Sequence, residues 1–387
     1  LASCLAKSIY MPEGLHDAYV PLLLFSHGLG APNSVAERGS RSFASAVRQT
    51  VRCGDLKMSK LLVDLASADA MSRFEDVAQR DKQQLELPDY LARWLFVERL
   101  HARGVRKYMS FDAYLGPSHI VNYFHWIMNA RFNDFFDRDT IDDLVKISVR
   151  NDMAVLDGYG LTVPAHGLAN VGRYNAQDFL YQRSYAVPDR LKVRTMLDFG
   201  AGHGRMANLN LRHDDHSRRI QAYIAVDGIA ASYLTQSAYF RGLSLRVWDY
   251  FDHRDEEPSA EVIEQALQEH DVVHLPTWRL DLVPDGVVDM VNCVQVLKEL
   301  PSALVVYAIR QFRRVTQKAG AIYLRDHLQF HNPNHMPVDQ ILEAEGFRIE
   351  YAPQLIDRVE THGLPRIWRK LDPDIYVTQE ALVSPPA

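Results

Sequence analysis

Residues 195–209, TMLDFGAGHGRMANL, constrain this chain more than any other stretch. Thr195, Met196 and Leu197 form a β-compatible run into Asp198, after which Gly200, Gly202 and Gly204 alternate with Ala201 and His203. From Arg205 to Leu209 the pattern opens a helix. The expected local structure is a strand, a tight turn and a helix N-terminus. Glycine is demanded in such a turn because the backbone adopts conformations that other residues resist, and because a ligand must approach the main chain closely.

The spacing narrows the ligand class. A dinucleotide site of the form G-x-G-x-x-G would place its third glycine at position 205, where Arg205 stands. The form present, D-x-G-x-G-x-G, resembles motif I of the class I S-adenosylmethionine (SAM) dependent methyltransferases. A second signal lies in residues 223–228 (YIAVDG), an apolar strand that ends on Asp227 and Gly228. A carboxylate at the end of a second strand suits a vicinal diol and accepts the two ribose hydroxyls of a nucleoside. The plain alternative is a βαβ unit with a tight turn in which Asp227 caps a helix.

The remaining C-terminal sequence reads in βα order. A helix is expected over 229–241, a strand in 243–249 (LSLRVWD), and a helix near 261–269. Strands follow in 271–278 (DVVHLPTW) and 287–292, then a helix over 303–316 and a strand over 320–326. A helix over 338–345, a strand over 347–351 and a last strand in 366–370 or 374–378 complete the pattern. Such alternation implies a mostly parallel sheet with helices on both faces. The fold class expected is α/β, a doubly wound, seven-stranded Rossmann-like core.

A chain of 387 residues exceeds what one core usually holds. Apolar residues recur at helical spacing over 61–100 and, rich in aromatics, over 120–136, and a capped helix is expected over 139–148. Residues 157–185 mix Asn, Arg, Gln and Tyr without clean periodicity. They read either as a polar connector or as a segment folded over the ligand-binding edge, where His166, Arg173, Tyr174, Asn175 and Gln182 would touch a ligand. The division expected is a helical N-terminal domain (1–156), a connector or lid (157–190) and the core (191–387).

Charge and cysteine usage bound the partners. With 43 basic against 49 acidic residues the net charge is −6, and no Lys/Arg-rich block is present, which argues against a nucleic-acid backbone as the partner. Cys4, Cys53 and Cys293 are an odd, widely spaced set that fits neither a disulfide framework nor a zinc site, so a reducing, cytoplasmic location is expected. No segment approaches the roughly 18 apolar residues a membrane span needs. The chain opens on Leu1 rather than methionine, which leaves open whether the natural start is included.

Two further stretches add to the resemblance. Residues 233–240 (YLTQSAYF) and 272–300 (VVHLPTWRLDLVPDGVVDMVNCVQVLKEL), taken with the glycine turn, are similar to a bacterial family of sugar O-methyltransferases. The matching positions include Leu275, Pro276, Trp278, Leu280, Asp281, Leu282, Asp289, Asn292, Leu297 and Glu299, and the likeness covers residues 172–327, about 40% of the chain. It departs at 293–296, where a more polar turn is replaced, and at 243–270, which reads as an insertion. The resemblance implies SAM as cofactor and methyl transfer to a sugar hydroxyl, free, nucleotide-linked or within a glycan. An acceptor of another small-molecule class and a non-catalytic module that keeps the fold are the rival readings.

Roles follow from the cofactor's chemistry. Asp198 and the amides of Gly200, Ala201, Gly202 and Gly204 are candidates for the methionine end, Asp227 and Gly228 for the ribose, and Asn292 is a further cofactor-binding candidate that the resemblance implies. Thr277 and Trp278 are candidates at the adenine if 271–278 is the third strand; Asp249 takes that place if 243–249 is. Trp278 reads equally as core. A sugar hydroxyl is a poor nucleophile until its proton is removed, and histidine is the usual base. His327, oriented by Asp326, is the first candidate and His331 the second. These three side chains are also the conceivable ligands of a divalent metal, although their spacing matches no firm metal signature.

Overall fold

The computed structural model describes residues 68–88, 91–92, 136–159, 165–185, 192–253, 258–297, 300–326, 338–352 and 364–371. Three described helices precede the first strand: α1 (Ala68–Gln84), α2 (Arg138–Gly158) and α3 (Ala165–Leu180), the last running on into a π-helical turn, Tyr181–Tyr185. Residues 120–135, 374–378 and most of 89–100 lie outside the described residues.

Alternation of side chains builds the sheet. In β1 (Thr195–Phe199) Met196 faces one side while Leu197 and Phe199 face the other, and β2 (Ala222–Asp227) repeats this with Tyr223 and Ala225 against Ile224 and Val226. Both faces are buried, as in sheets covered by helices on two sides. The other strands are β3 (Val247–Asp249), β4 (Val272–Pro276), β5 (Val288–Val294), β6 (Thr316–Asp326), β7 (Phe347–Tyr351) and β8 (Leu364–Lys370). Their order is β3-β4-β2-β1-β5-β6-β8-β7, parallel from β3 to β6, with β8 antiparallel to both of its neighbours.

The doubly wound Rossmann-like core is therefore present, with eight strands rather than seven. The additional strand is β3, from the segment that reads as an insertion; it joins as an edge strand outside β4, so residues 243–249 and 271–278 both enter the sheet. Helices α4 (Ala207–Arg212) and α5 (Ala230–Gly242) cover the face of Met196 and Tyr223. The opposite face carries α6 (Ala260–Glu269), α7 (Ser302–Val315) and α8 (Val338–Ala344), through Ile263, Ile309, Phe312 and Ile341.

Two helices depart from their sequence expectation. α2 starts where Asp137 accepts the amide of Thr140 at 3.0 Å and continues a further ten residues past 148, because Asp152, Val155 and Leu156 keep its inner face buried. Residues 165–180, which show no clean periodicity, are a helix nonetheless. Its inward face interleaves Leu168, Val171, Ala176 and Phe179 with Asn175 and Asp178, and Gln182 is buried in the turn beyond; the three polar side chains are each satisfied by partners on the core. Helix α1 packs Phe74 against Tyr233, Phe251 and Trp278.

The topology places a crevice. From β1 the chain moves outward through β2 to β3 and β4 on one side, then returns to β5 on the other. The carboxyl end of β1 is thus the switch point of the sheet, where open α/β folds receive ligands.

Candidate cofactor-binding site

The glycine turn stands at that switch point. Gly200, Gly202 and Gly204 have φ of +71°, +60° and +85°, in the left-handed region that favours glycine. Neighbours close in on the outer two: a Cβ on Gly200 would lie 2.3 Å from Val296, and one on Gly204 2.6 Å from the Phe240 ring. Gly202 differs, since a Cβ there would meet nothing within 4 Å. The turn is pinned by the amide of Gly200, donated to the Val226 carbonyl at 2.8 Å, and Ala201 is buried beside it.

Asp227 ends β2 directly across from this turn. Its Oδ1 accepts the amide of Ile229 at 2.9 Å, and Oδ2 accepts the amide of Gly202 at 3.2 Å and the side-chain amide of Gln236 at 3.1 Å. Gln236 also donates to the Gly202 carbonyl at 2.7 Å, closing a ring of contacts between β2, the turn and α5. Burial raises the Asp227 carboxyl to about 7, outweighing those three donors. Gly228 follows, buried.

Asp198 and Asn292 are brought into direct contact. Asn292, on β5, donates to Oδ1 of Asp198, and the hydroxyl of Tyr223 donates to Oδ2. Asn292 in turn accepts from Gln182 at 2.8 Å, and Gln182 accepts from Asn210 at 3.2 Å. Both carboxylate oxygens are engaged by protein donors, so Asp198 acts here as an anchor that ties β1, β2 and β5 under the turn. Its carboxyl is raised to about 6 by burial.

Arg205, which displaces the dinucleotide-type glycine, has a structural employment. It donates to Asp178 at 2.7 Å and to Asn175 at 2.9 Å, fixing α3 to the turn. Arg325, near the end of β6, holds the other oxygen of Asp178 at 2.7 Å, and both guanidinium groups lie over the Tyr174 ring at 4.3 and 4.4 Å. Burial opposes ionisation of Asp178, but the two arginines prevail and lower its pKa. Of the 157–185 candidates, Tyr174, Asn175 and Gln182 are buried in these networks and Arg173 is exposed; the side chain of His166 lies outside the described ones.

The other candidates separate. Trp278 is enclosed: its indole N–H donates to Asp81 of α1 at 2.9 Å, and its ring meets Phe74 edge-on at 5.5 Å. Thr277, next to it at the end of β4, is partly exposed. Asp249, the alternative adenine residue, is buried among Tyr233, Ser237 and His274. Asp289 accepts the amides of Arg194 and Thr195 at 2.6 and 2.8 Å, at the opposite end of β1 from the turn. His327, His331, Glu299 and the side chain of Asp326 lie outside the described residues. Among the described residues no group of three or more His, Cys, Asp or Glu side chains is placed to hold a metal ion.

Gln236 contacts both Asp227 and Gly202 and meets His274 of β4 at 3.0 Å, and periodicity hides both residues. Gln236 sits on the buried face of an ordinary helix, and His274 is one polar residue in an apolar strand. The only signal was a lone histidine in DVVHLP, a position otherwise reserved for apolar side chains.

No family model matches the chain, and no curated protein matches it. Solved structures do match over part of it. A SAM-dependent methyltransferase from Aquifex aeolicus is 15% identical, covering 46% of this chain and 82% of its own, with a TM-score of 0.30. The cyclase SpnF is 15% identical over 50% of this chain and 82% of its own, at a TM-score of 0.35. The YcgJ protein from Bacillus subtilis is 16% identical over 46% and 71%, at 0.30. Likeness of this order carries no argument about this chain, and one fold hosts many activities.

Proposed function

We propose that this protein is a SAM-dependent O-methyltransferase whose acceptor is a sugar hydroxyl. The observation that carries the reading is the pairing of Gly202 with Asp227: a left-handed glycine with open space on its Cβ side, hydrogen-bonded to a buried carboxylate at the switch point of the sheet. These residues fit an adenosyl cofactor, which needs close main-chain approach at one end and a diol acceptor at the other. The bound cofactor would supply a methyl group already activated on a sulfonium. Asp227 would receive the ribose hydroxyls, the turn amides the methionine end, and Thr277 the edge of the adenine.

The chain's remaining task is alignment of the acceptor and removal of its proton, and alignment alone accounts for a large part of such a rate. His327 is proposed as the base, oriented by Asp326, with His331 in reserve; the sequence enters this stretch directly from the carboxyl end of β6. The division into a helical N-terminal part (1–156), a connector or lid (157–190) and the core (191–387) is kept as part of this proposal. The sugar specificity rests on the YLTQSAYF and LPTWRLDL resemblance. Isothermal titration with SAM and S-adenosylhomocysteine tests the cofactor reading. Micromolar binding by the wild type, strongly weakened yet still measurable in Asp227→Ala, is expected; no binding by folded wild type overturns it and leaves a non-catalytic module.

A further inference from the structure

A buried chain of hydrogen bonds reaches Asp227 from the third strand, and its donor directions can be read from atoms of fixed character. The amide nitrogen of Gln236 faces the Gly202 carbonyl at 2.7 Å, and a carbonyl only accepts. That fixes the Gln236 amide, so its oxygen is the atom 3.0 Å from Nε2 of His274. An amide oxygen also only accepts, and Nε2 therefore carries a proton. The other ring nitrogen, Nδ1, lies 3.3 Å from Oδ2 of Asp249.

Asp249 is a carboxylate surrounded by donors. It accepts from the hydroxyls of Tyr233 and Ser237 at 2.8 Å each and from the amide of Phe251 at 3.1 Å, with the Arg241 guanidinium 3.9 Å from Oδ2. Nδ1 of His274 faces this carboxylate and Nε2 the Gln236 amide oxygen, so the ring links the two. It is fully enclosed, stacked on Tyr233 at 3.6 Å with Phe240 edge-on at 5.5 Å. The Nε2–H on the amide oxygen prevents the Gln236 amide from turning over, since a turned amide would set N–H against N–H, and it polarises the bonds the amide nitrogen donates.

We infer that Asp249, His274 and Gln236 form a positioning relay that holds the Asp227 carboxylate and the Gly202 carbonyl in register for the ribose of the cofactor. Gln236 and His274 are positioning residues, acting through Asp227 rather than on the ligand. The inference rests on the adenosyl-cofactor reading above and adds the residues that orient its diol acceptor.

Gln236→Glu is the informative substitution, since it keeps the shape and sets an acceptor against Gly202 and Asp227. S-adenosylhomocysteine affinity is measured by titration calorimetry for the wild type, Gln236→Glu, Asp227→Ala and the double variant, with the unfolding midpoint of each. The expected result is a loss of about tenfold or more in Gln236→Glu, of the size of one charge-assisted hydrogen bond. In the Asp227→Ala background the same substitution changes affinity little, a non-additivity that a merely structural role would not produce. If Gln236→Glu leaves affinity unchanged, or its effect adds in full to that of Asp227→Ala, the relay is overturned while the cofactor reading stands. If the wild type does not bind, both fall. Nitrogen-15 NMR of ring-labelled wild type gives a readout independent of folding in the variants: a proton on Nε2 of His274 is expected, and an unprotonated Nε2 overturns the relay.

Discussion

At the scale of single residues, the three turn glycines do different work, and the difference is measurable. Gly202→Ala meets no neighbour, so it carries only the strain of alanine at positive φ, about 1–2 kcal/mol. It also places a methyl in the open space assigned to the cofactor. Thermal unfolding should show a modest loss, and calorimetry the disappearance of S-adenosylhomocysteine binding. Gly204→Ala adds a clash with the Phe240 ring to the same strain, so it unfolds at a clearly lower temperature than Gly202→Ala. Asp227 predicts a pH dependence. In the free protein burial holds its carboxyl at about 7, while acceptance of two ribose hydroxyls favours the ionised form. Below that value binding must expel a proton, and above it none is expelled. Affinity therefore rises as pH rises through about 7, and heats measured in buffers of different ionisation enthalpy should reveal proton release on the acid side.

At the scale of elements, what the sequence disclosed follows what drives each element. The central strands were legible because full burial leaves one reading, as in β2, which is buried at every residue and ends on Asp227 as expected. The glycine turn and Asp227 were legible because their geometry admits few residue types. α3 was not, since its buried face sets Tyr174, Asn175 and Asp178 among Leu168, Val171, Ala176 and Phe179, and buried polar residues blur a hydrophobic period. The relay residues were hidden for the converse reason: on a buried helix face and strand, Gln236 and His274 look like members of the core. β3 was readable as a strand but not as an extra one, because edge position is a property of the whole sheet. The polar seam of α3 makes a sharp prediction. Asp178→Ala leaves the guanidinium groups of Arg205 and Arg325 buried without their shared carboxylate, which should cost about 3–5 kcal/mol in denaturant unfolding.

At the scale of the whole molecule, α1 is held to the far side of the sheet by one buried carboxylate. Asp81 accepts from Trp278 at 2.9 Å and from Tyr250 at 2.8 Å, and Phe74 inserts its ring among Tyr233, Phe251 and Trp278. Asp81→Ala should release this helix without unfolding the sheet: hydrogen exchange within α1 accelerates, while the amides of β1 and β2 keep their protection. The same contact has a bearing on how the chain is made. Asp81 and Trp278 are 197 positions apart, so at about 5–20 residues per second α1 leaves the ribosome roughly 10–40 s before its partner is synthesised. During that interval Phe74 and Val77 have no core to enter, and the helix is a surface on which a chaperone can act until the stretch from β2 to β4 arrives.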